Sequence, residues 1–343
     1  MPMLSNTSFE IDSEKKTPKY LQIVNAITDS IKKGKLKKGD RIFSINELSN
    51  EYFLSRDTVQ KAYDLLEEKG IIEPVKGKGF YISRTDITSS YRILLLFNKI
   101  SNYKKQIYHS FAQAIGANNT LDLKIYHSNT KLFETLLGSQ FNEYDYYVIM
   151  PHFYEDVEAA NALINKIPKE KLLLLDKDIP DLRPGYSAVY QDFRRDIAEA
   201  LETGLDLLKK YDRLILVHPK LIPYPYEIVL GFRSFCMQNS FAFDVIQEIN
   251  PDTKIKSKEA YIVIEETDLV NLIKGCRSKN LKPGKDIGII SYNDTPLKEI
   301  LLDGITVIST DHSQMGEIAA KLILENRREK IKNPFKIIRR KSL

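Results

Sequence analysis

The chain has 343 residues, 43% hydrophobic and 28% charged, a balance that suits a folded protein of two or three domains and excludes a disordered one. Its longest apolar runs, ILLLF at 93–97 and LLLL at 172–175, fall far short of the roughly 20 residues that cross a bilayer. A formal charge of +5 neither demands nor excludes a polyanionic partner, while two cysteines, Cys236 and Cys276, exclude a disulfide framework and fit a reducing compartment.

Residues 1–18 are polar and lack periodicity, so they read as a loose tail; Glu10, Asp12 and Glu14 with no apolar stretch exclude a secretory leader and point to the cytoplasm. From Tyr20 onward, Ile23, Val24, Ile27 and Ile31 recur at helical spacing and predict a helix that ends at Gly34. Ser44 followed three residues later by Glu47 is a capping-box pattern opening a short second helix with Leu48. Ser55 can cap a third, whose apolar stripe is Val59, Ala62, Tyr63, Leu65 and Leu66, and Gly70 ends it. IIEPV, the tip KGKG and FYI then predict a hairpin turned by Gly77 and Gly79, which closes a small domain over 19–83. The lysines at 32, 33, 35, 37 and 38 read as a solvated face.

Residues 84–91 form a polar linker. Beyond it, nine short apolar runs (93–97, 123–126, 146–150, 172–175, 187–190, 214–217, 261–264, 287–291 and 305–308) alternate with helix-length stretches at 104–119, 155–167, 192–210, 227–239, 266–279 and 311–326. Such alternation predicts parallel α/β sheets covered on both faces, and nine strands predict two lobes. The expected lobes are about 92–188 with 311–336, and about 189–310 with 337–343, within an effector domain of 92–343. A ligand of such a fold lies at the carboxyl ends of the strands, between the lobes.

The segment from Lys19 to Ile82 resembles the GntR-type winged helix-turn-helix. The resemblance rests on Ile31 to Gly34, Ser44 to Leu48, Ser55-Arg56-Asp57-Thr58-Val59, Glu68 to Ile72 and Gly77-Lys78-Gly79. A recognition helix enters the major groove by its N-terminus, so Ser55, Arg56, Asp57 and Thr58 are expected at double-stranded operator DNA, with Gln60 and Lys61 farther along. Arg56 suits a phosphate or guanine O6/N7. Ser44 and the glycine-flanked wing Gly77-Lys78-Gly79, next to Lys76, complete the expected surface. Where the family has Pro and Arg around the second helix's Ser, this chain has Phe43 and Asn46, and the Arg that often follows Thr-Val is Gln60; the operator is expected to differ accordingly.

AYIVIEETDLVNLIKGCRSKNLKPGKDIGIISYNDTPL, ITVISTDHSQMGEIAAKLIL and the final IIRRKSL resemble the effector domain of lactose-repressor-type regulators, itself similar to periplasmic sugar-binding proteins. The combination with a GntR-type reader is similar to arabinose-repressor-type regulators. The resemblance implies a winged helix-turn-helix joined to a two-lobed parallel α/β periplasmic-binding-protein-like domain. It also implies a homodimer on a two-fold operator and a repressor released by a monosaccharide. The family's cleft carboxylate falls on Asn293 and another cleft residue on Glu265, whereas the cleft Arg falls on Ile228 with Glu227 adjacent. Asn98, His152, Asp176 and Asp192 stand at strand ends, and aromatic walls are sought among Tyr103, Phe153, Tyr154, Tyr190, Tyr224, Tyr226 and Tyr292. Asp311 reads as a helix cap.

The effector alternatives are a purine, an amino acid or a phosphosugar, the last requiring basic groups such as Lys220 or Arg194. A stand-alone solute-binding protein would lack an export signal and leave 19–83 unexplained. The five histidines (His109, His127, His152, His218, His312) show no metal-ligand spacing, and there is no G-x-S-x-G elbow, P-loop or dinucleotide fingerprint. No catalytic residue, metal, cofactor or membrane partner is therefore expected.

Overall fold

The computed structural model describes residue 11, residues 18–85, 91–138, 141, 143–220 and 222–343, except for the side chain of Lys32. Most of the expected tail and residues 86–90 of the expected linker lie outside these. The chain divides into two compact units, residues 1–89 and 90–343.

In the first unit, α1 (Lys19–Lys32), α2 (Ile45–Glu51) and α3 (Arg56–Glu68) accompany a three-stranded antiparallel sheet of β1 (Arg41–Ile42), β2 (Ile72–Val75) and β3 (Gly79–Ile82), in the order β1-β3-β2. The helical stripes make one core: Ile23, Val24, Ile27 and Ile31 meet Leu48, Val59, Ala62, Tyr63 and Leu66, all buried. Burying each large aliphatic side chain contributes roughly 1.5–3 kcal/mol before entropy is counted. Tyr63 is anchored by donating to the Phe43 carbonyl at 2.6 Å. The two-residue β1 is too short to leave a periodicity, and the sequence reading did not find it.

In the second unit the chain builds lobe 1 with β4 (Arg92–Phe97), α4 (Asn102–Ile115), β5 (Thr120–Ile125), α5 (Thr130–Gly138), β6 (Tyr146–Ile149), α6 (Val157–Asn165), β7 (Leu172–Asp176) and β8 (Ser187–Tyr190). It crosses to lobe 2 for α7 (Phe193–Thr203), α8 (Leu205–Leu208), β9 (Arg213–Val217), α9 (Glu227–Gln238), β10 (Ala242–Ile246), β11 (Glu259–Val263), α10 (Glu266–Ser278), β12 (Gly288–Tyr292), α11 (Pro296–Ile300) and β13 (Thr306–Thr310). It returns to lobe 1 for α12 (His312–Leu324) and β14 (Lys330–Lys332), and crosses once more to β15 (Phe335–Ile338). The sheet orders are β14-β8-β7-β6-β4-β5 and β10-β9-β11-β12-β13-β15, parallel throughout except for β13 against β15.

Both sheets are covered on two faces, as near-continuous apolar strands require. Along β4, Ile93, Leu95 and Phe97 pack with α4 and α12, while Leu94 and Leu96 pack with α5 and α6. In lobe 2, α7 and α9 cover one face and α10 the other.

The lobe boundaries differ from the expected ones by two residues at two crossings. The β7–β8 ladder continues to Asp176↔Tyr190, which keeps the whole apolar run 187–190 in lobe 1, and pairing of β13 with β15 begins at Thr310↔Phe335, two residues before the terminal strand expected from 337. The sequence reading also missed α5, β10 and β14. Both strands are sheet edges; β14 (KIK) carries little apolar signal, whereas β10 (AFDVI) is an apolar run that the sequence reading passed over.

Candidate DNA-reading surface and effector cleft

The recognition helix is α3. Ser55 caps it, its hydroxyl accepting from the Thr58 amide at 3.2 Å and lying 2.7 Å from the Thr58 hydroxyl. Val59, Ala62, Tyr63 and Leu66 are buried, which turns Ser55, Arg56, Asp57, Gln60 and Lys61 outward and leaves Thr58 half-buried. The Gln60 amide donates to Asp64 at 2.7 Å, and the Lys61 ammonium lies 4.3 Å from the centre of the Tyr20 ring. Ser44 forms the full capping box with Glu47: its hydroxyl accepts from the Glu47 amide at 3.3 Å, and its own amide donates to the Glu47 carboxylate at 2.6 Å.

One residue of this surface escaped the sequence reading. Arg41 donates to the Lys78 carbonyl in the wing at 3.2 Å and to both Glu47 oxygens at 3.0 and 3.2 Å, so it ties the wing to the start of α2. Gly77 and Gly79 have φ of 74° and 99°, backbone that favours glycine. A Cβ at Gly79 would stand 3.4 Å from the Arg41 Nε, at van der Waals contact, so the backbone conformation rather than space is what favours glycine there.

In the second unit, the strand ends of the two lobes face one another across a cavity with an empty volume of about 410 Å³, open to solvent. Five of the expected effector residues line it: Asn98, Tyr103, His152, Asp176 and Asn293. Asp176 is buried in its wall. Its carboxylate accepts from His152 Nε2 at 2.8 Å and from the Gln191 amide at 2.5 Å, with its backbone in the left-handed region at φ 73°. The buried Lys104 ammonium donates to Asn98, whose amide donates to Ser128 at 3.1 Å. Tyr126 fixes the His152 backbone, receiving its amide at 3.0 Å and donating to its carbonyl at 3.1 Å. Across the cleft, Asn293 has φ 62°, and its carbonyl accepts from the buried Lys298 at 2.7 Å.

Charge in this pocket is balanced internally. Burial works to raise the Asp176 carboxyl, but the hydrogen bond from His152, the Lys104 ammonium and the Gln191 amide outweigh it and hold the group below the usual carboxylate range. Burial lowers Lys104 to about 8 against the pull of Asp176, and lowers His152 against the hydrogen bond to the same carboxylate. Lys99 of lobe 1 reaches across to Glu265 and the Tyr224 hydroxyl of lobe 2, each at 3.4 Å, while Tyr224 donates to Glu265 at 2.7 Å. The Tyr292 hydroxyl and Gln191 Oε1 are buried without a hydrogen-bond partner among the described residues, which leaves two unmet polar atoms on side chains of the cavity wall.

Glu265 is thus an inter-lobe bridge beside the cavity. Asp192 caps α7, accepting from the Arg195 amide at 3.2 Å, and Tyr226 and Glu227 are exposed where α9 begins; none of the three lines the cavity. Ile228 belongs to the lobe 2 core, and Lys220 and Arg194 are exposed outside the cavity. The sequence reading did not single out Lys99, Lys104, Gln191 or Phe193, which line the cavity from α4, the loop before it and the first lobe crossing. Asp311 caps α12, accepting from the Gln314 amide at 2.9 Å. Cys236 and Cys276 are buried and free, their thiols pushed up to about 12 and about 11 by burial. Among the described residues no group of three or more His, Cys, Asp or Glu side chains could hold a metal, and no helix is long and apolar enough to cross a membrane.

The family model for bacterial regulatory proteins of the gntR family matches residues 19–82. Over 98 residues the chain is 37% identical to the HTH-type transcriptional repressor YtrA of Bacillus subtilis (strain 168), covering 29% of this chain and 72% of that one. It is 23% identical over 348 residues to the arabinose metabolism transcriptional repressor of Geobacillus stearothermophilus, covering 91% of this chain and 92% of that one. A LacI family transcriptional regulator from Enterococcus faecalis V583, solved with bound ribose, has the fold of the second unit, with a TM-score of 0.58 at 21% identity over 73% of this chain and 98% of that one. These relatives are regulators rather than enzymes. The chain belongs to the gntR family of bacterial regulatory proteins and is a DNA-binding transcriptional regulator whose second unit has the fold of LacI family regulators.

Proposed function

We propose that this regulator represses a sugar-utilisation operon and is released by a neutral monosaccharide bound between the lobes. The observation that carries the reading is the cleft's internal charge balance: Asp176 and Glu265 offset Lys104 and Lys99, within walls that include Tyr103, Phe193 and Tyr292. A polyhydroxylated ring satisfies such a site, its hydroxyls meeting the carboxylate, imidazole and amide while its C–H face lies on an aromatic ring. A phosphosugar would need uncommitted cations, and the two lysines are already engaged. Ser44, Ser55, Arg56, Asp57, Thr58, Gln60 and Lys61, with the wing Gly77, Lys78 and Gly79, form the proposed operator contacts of a homodimer. The effector acts by binding the closed lobes better than the open ones.

The test is a mobility-shift titration on the upstream region of the gene at two salt concentrations, with and without a panel of aldoses and their phosphates. A salt-sensitive shift released by a neutral sugar is expected. Release by a phosphosugar alone would overturn the ligand class, and indifference to all of them would overturn the sugar.

A further inference from the structure

Among the described residues, Phe53 is the most exposed large apolar side chain, at 95%, and it occupies left-handed backbone with φ 50°. Both features act against folding. Glycine or asparagine adopts that backbone at lower cost, and a phenyl ring fully in water gains nothing from burial. The conformation is nonetheless held from both sides. The Tyr52 amide donates to the Leu48 carbonyl at 3.2 Å, the Leu54 amide to the Ser49 carbonyl at 3.0 Å, and the Ser49 hydroxyl to the Leu54 carbonyl at 2.6 Å. Leu54 is itself buried in the core. The ring therefore projects from a fixed turn between α2 and α3, two residues before the cap of the recognition helix and three before Arg56.

We propose that Phe53 is a specificity-determining operator contact, an apolar probe that meets thymine C5-methyl groups at the flank of the major groove entered by α3. The ring stands two residues before the exposed run Ser55-Arg56-Asp57, whose residues are polar or charged. Those residues suit phosphates and base-edge acceptors, and the thymine methyl is the apolar feature that a base pair offers in that groove. A rigid ring also loses little freedom on contact. The proposal rests on the reader unit docking through the N-terminus of α3.

The test uses the full chain and its Phe53→Gly and Phe53→Leu variants. Each is titrated against the footprinted operator duplex made with thymine, or with deoxyuridine at the protected thymines. Phe53→Gly is expected to melt no lower than the parent and to bind the thymine duplex about tenfold more weakly, with Phe53→Leu intermediate. Deoxyuridine should weaken the parent several-fold and leave Phe53→Gly unchanged, a coupling that a purely structural role would not produce. Parent-like binding by Phe53→Gly would overturn the proposal, as would an equal deoxyuridine loss in both proteins or a loss of self-association that accounts for the weaker binding. An Arg56→Ala variant separates the two readings: if it too binds as the parent does, the docking surface itself is wrong.

Discussion

Asp176 gathers an imidazole, an amide and a buried ammonium about one carboxylate, so its charge organises groups from the loop after β6, from α4 and from the first lobe crossing. Asp176→Asn keeps the shape and removes the charge that Lys104 faces. We expect effector affinity to fall at least about tenfold, because a polar site with misplaced partners loses more than one hydrogen bond. Operator affinity without effector should be unchanged; calorimetry with the identified sugar and a mobility shift without it check the two halves. Asn98, His152 and Asp176 were legible as lining residues because the carboxyl ends of parallel strands open on the ligand face, and Asn293 through the resemblance to the effector-domain family. Lys104 and Gln191 were not. A lysine on a helix reads as solvated surface, and only the approach of α4 to the strand ends buries this one. Asp192 shows the converse: the same position after a strand also serves as a helix cap, and sequence cannot separate the two uses.

Helices α4 and α12 pack on the same face of lobe 1, and Gly316 sets how closely. A Cβ there would lie 2.1 Å from the Ser110 hydroxyl and 2.5 Å from the Ile107 carbonyl, the latter backbone that cannot swing aside. Gly316→Ala should therefore force the helices apart and cost about 1–3 kcal/mol, read as a lower Tm for the second unit with α3 and its proposed operator surface untouched. At this scale, periodicity found the helices of the reader and most of those in the lobes. It failed on α5, whose nine residues carry few turns of pattern, on β14, whose three residues KIK have no apolar run to read, and on β10, whose apolar run AFDVI was passed over. The resemblance to a terminal strand at 337–343 was right in kind, while the strand itself begins earlier, at Phe335.

Across the whole molecule, the lobes are stitched by side chains as well as by three crossings of the chain. Asp196 on α7 of lobe 2 lies 2.8 Å from Lys332 on β14 of lobe 1, with its side chain fully buried. Burial raises this carboxyl to about 6, although Lys332 pulls the other way. An unfolded aspartate titrates near roughly 3.9, so the folded state holds the proton more tightly. The stability this supplies is complete below about pH 4 and is lost as pH rises through about 6, at up to about 1.4 kcal/mol per pH unit. Asp196→Asn should flatten that part of the Tm-against-pH profile, and an unchanged slope would place its origin elsewhere. The same stitching has a consequence for synthesis. The described reader lies within residues 18–85, whereas lobe 1 lacks α12 and β14 until residue 332 has been made. At roughly 5–20 residues per second, the ribosome takes roughly 12–50 s to cover that interval. During that time a nascent chain carries a finished DNA reader and an unfinished sensor. On the proposed function, an operator reached in that interval is occupied without regard to the effector, so termination before codon 312 should yield a DNA-binding chain that no effector releases.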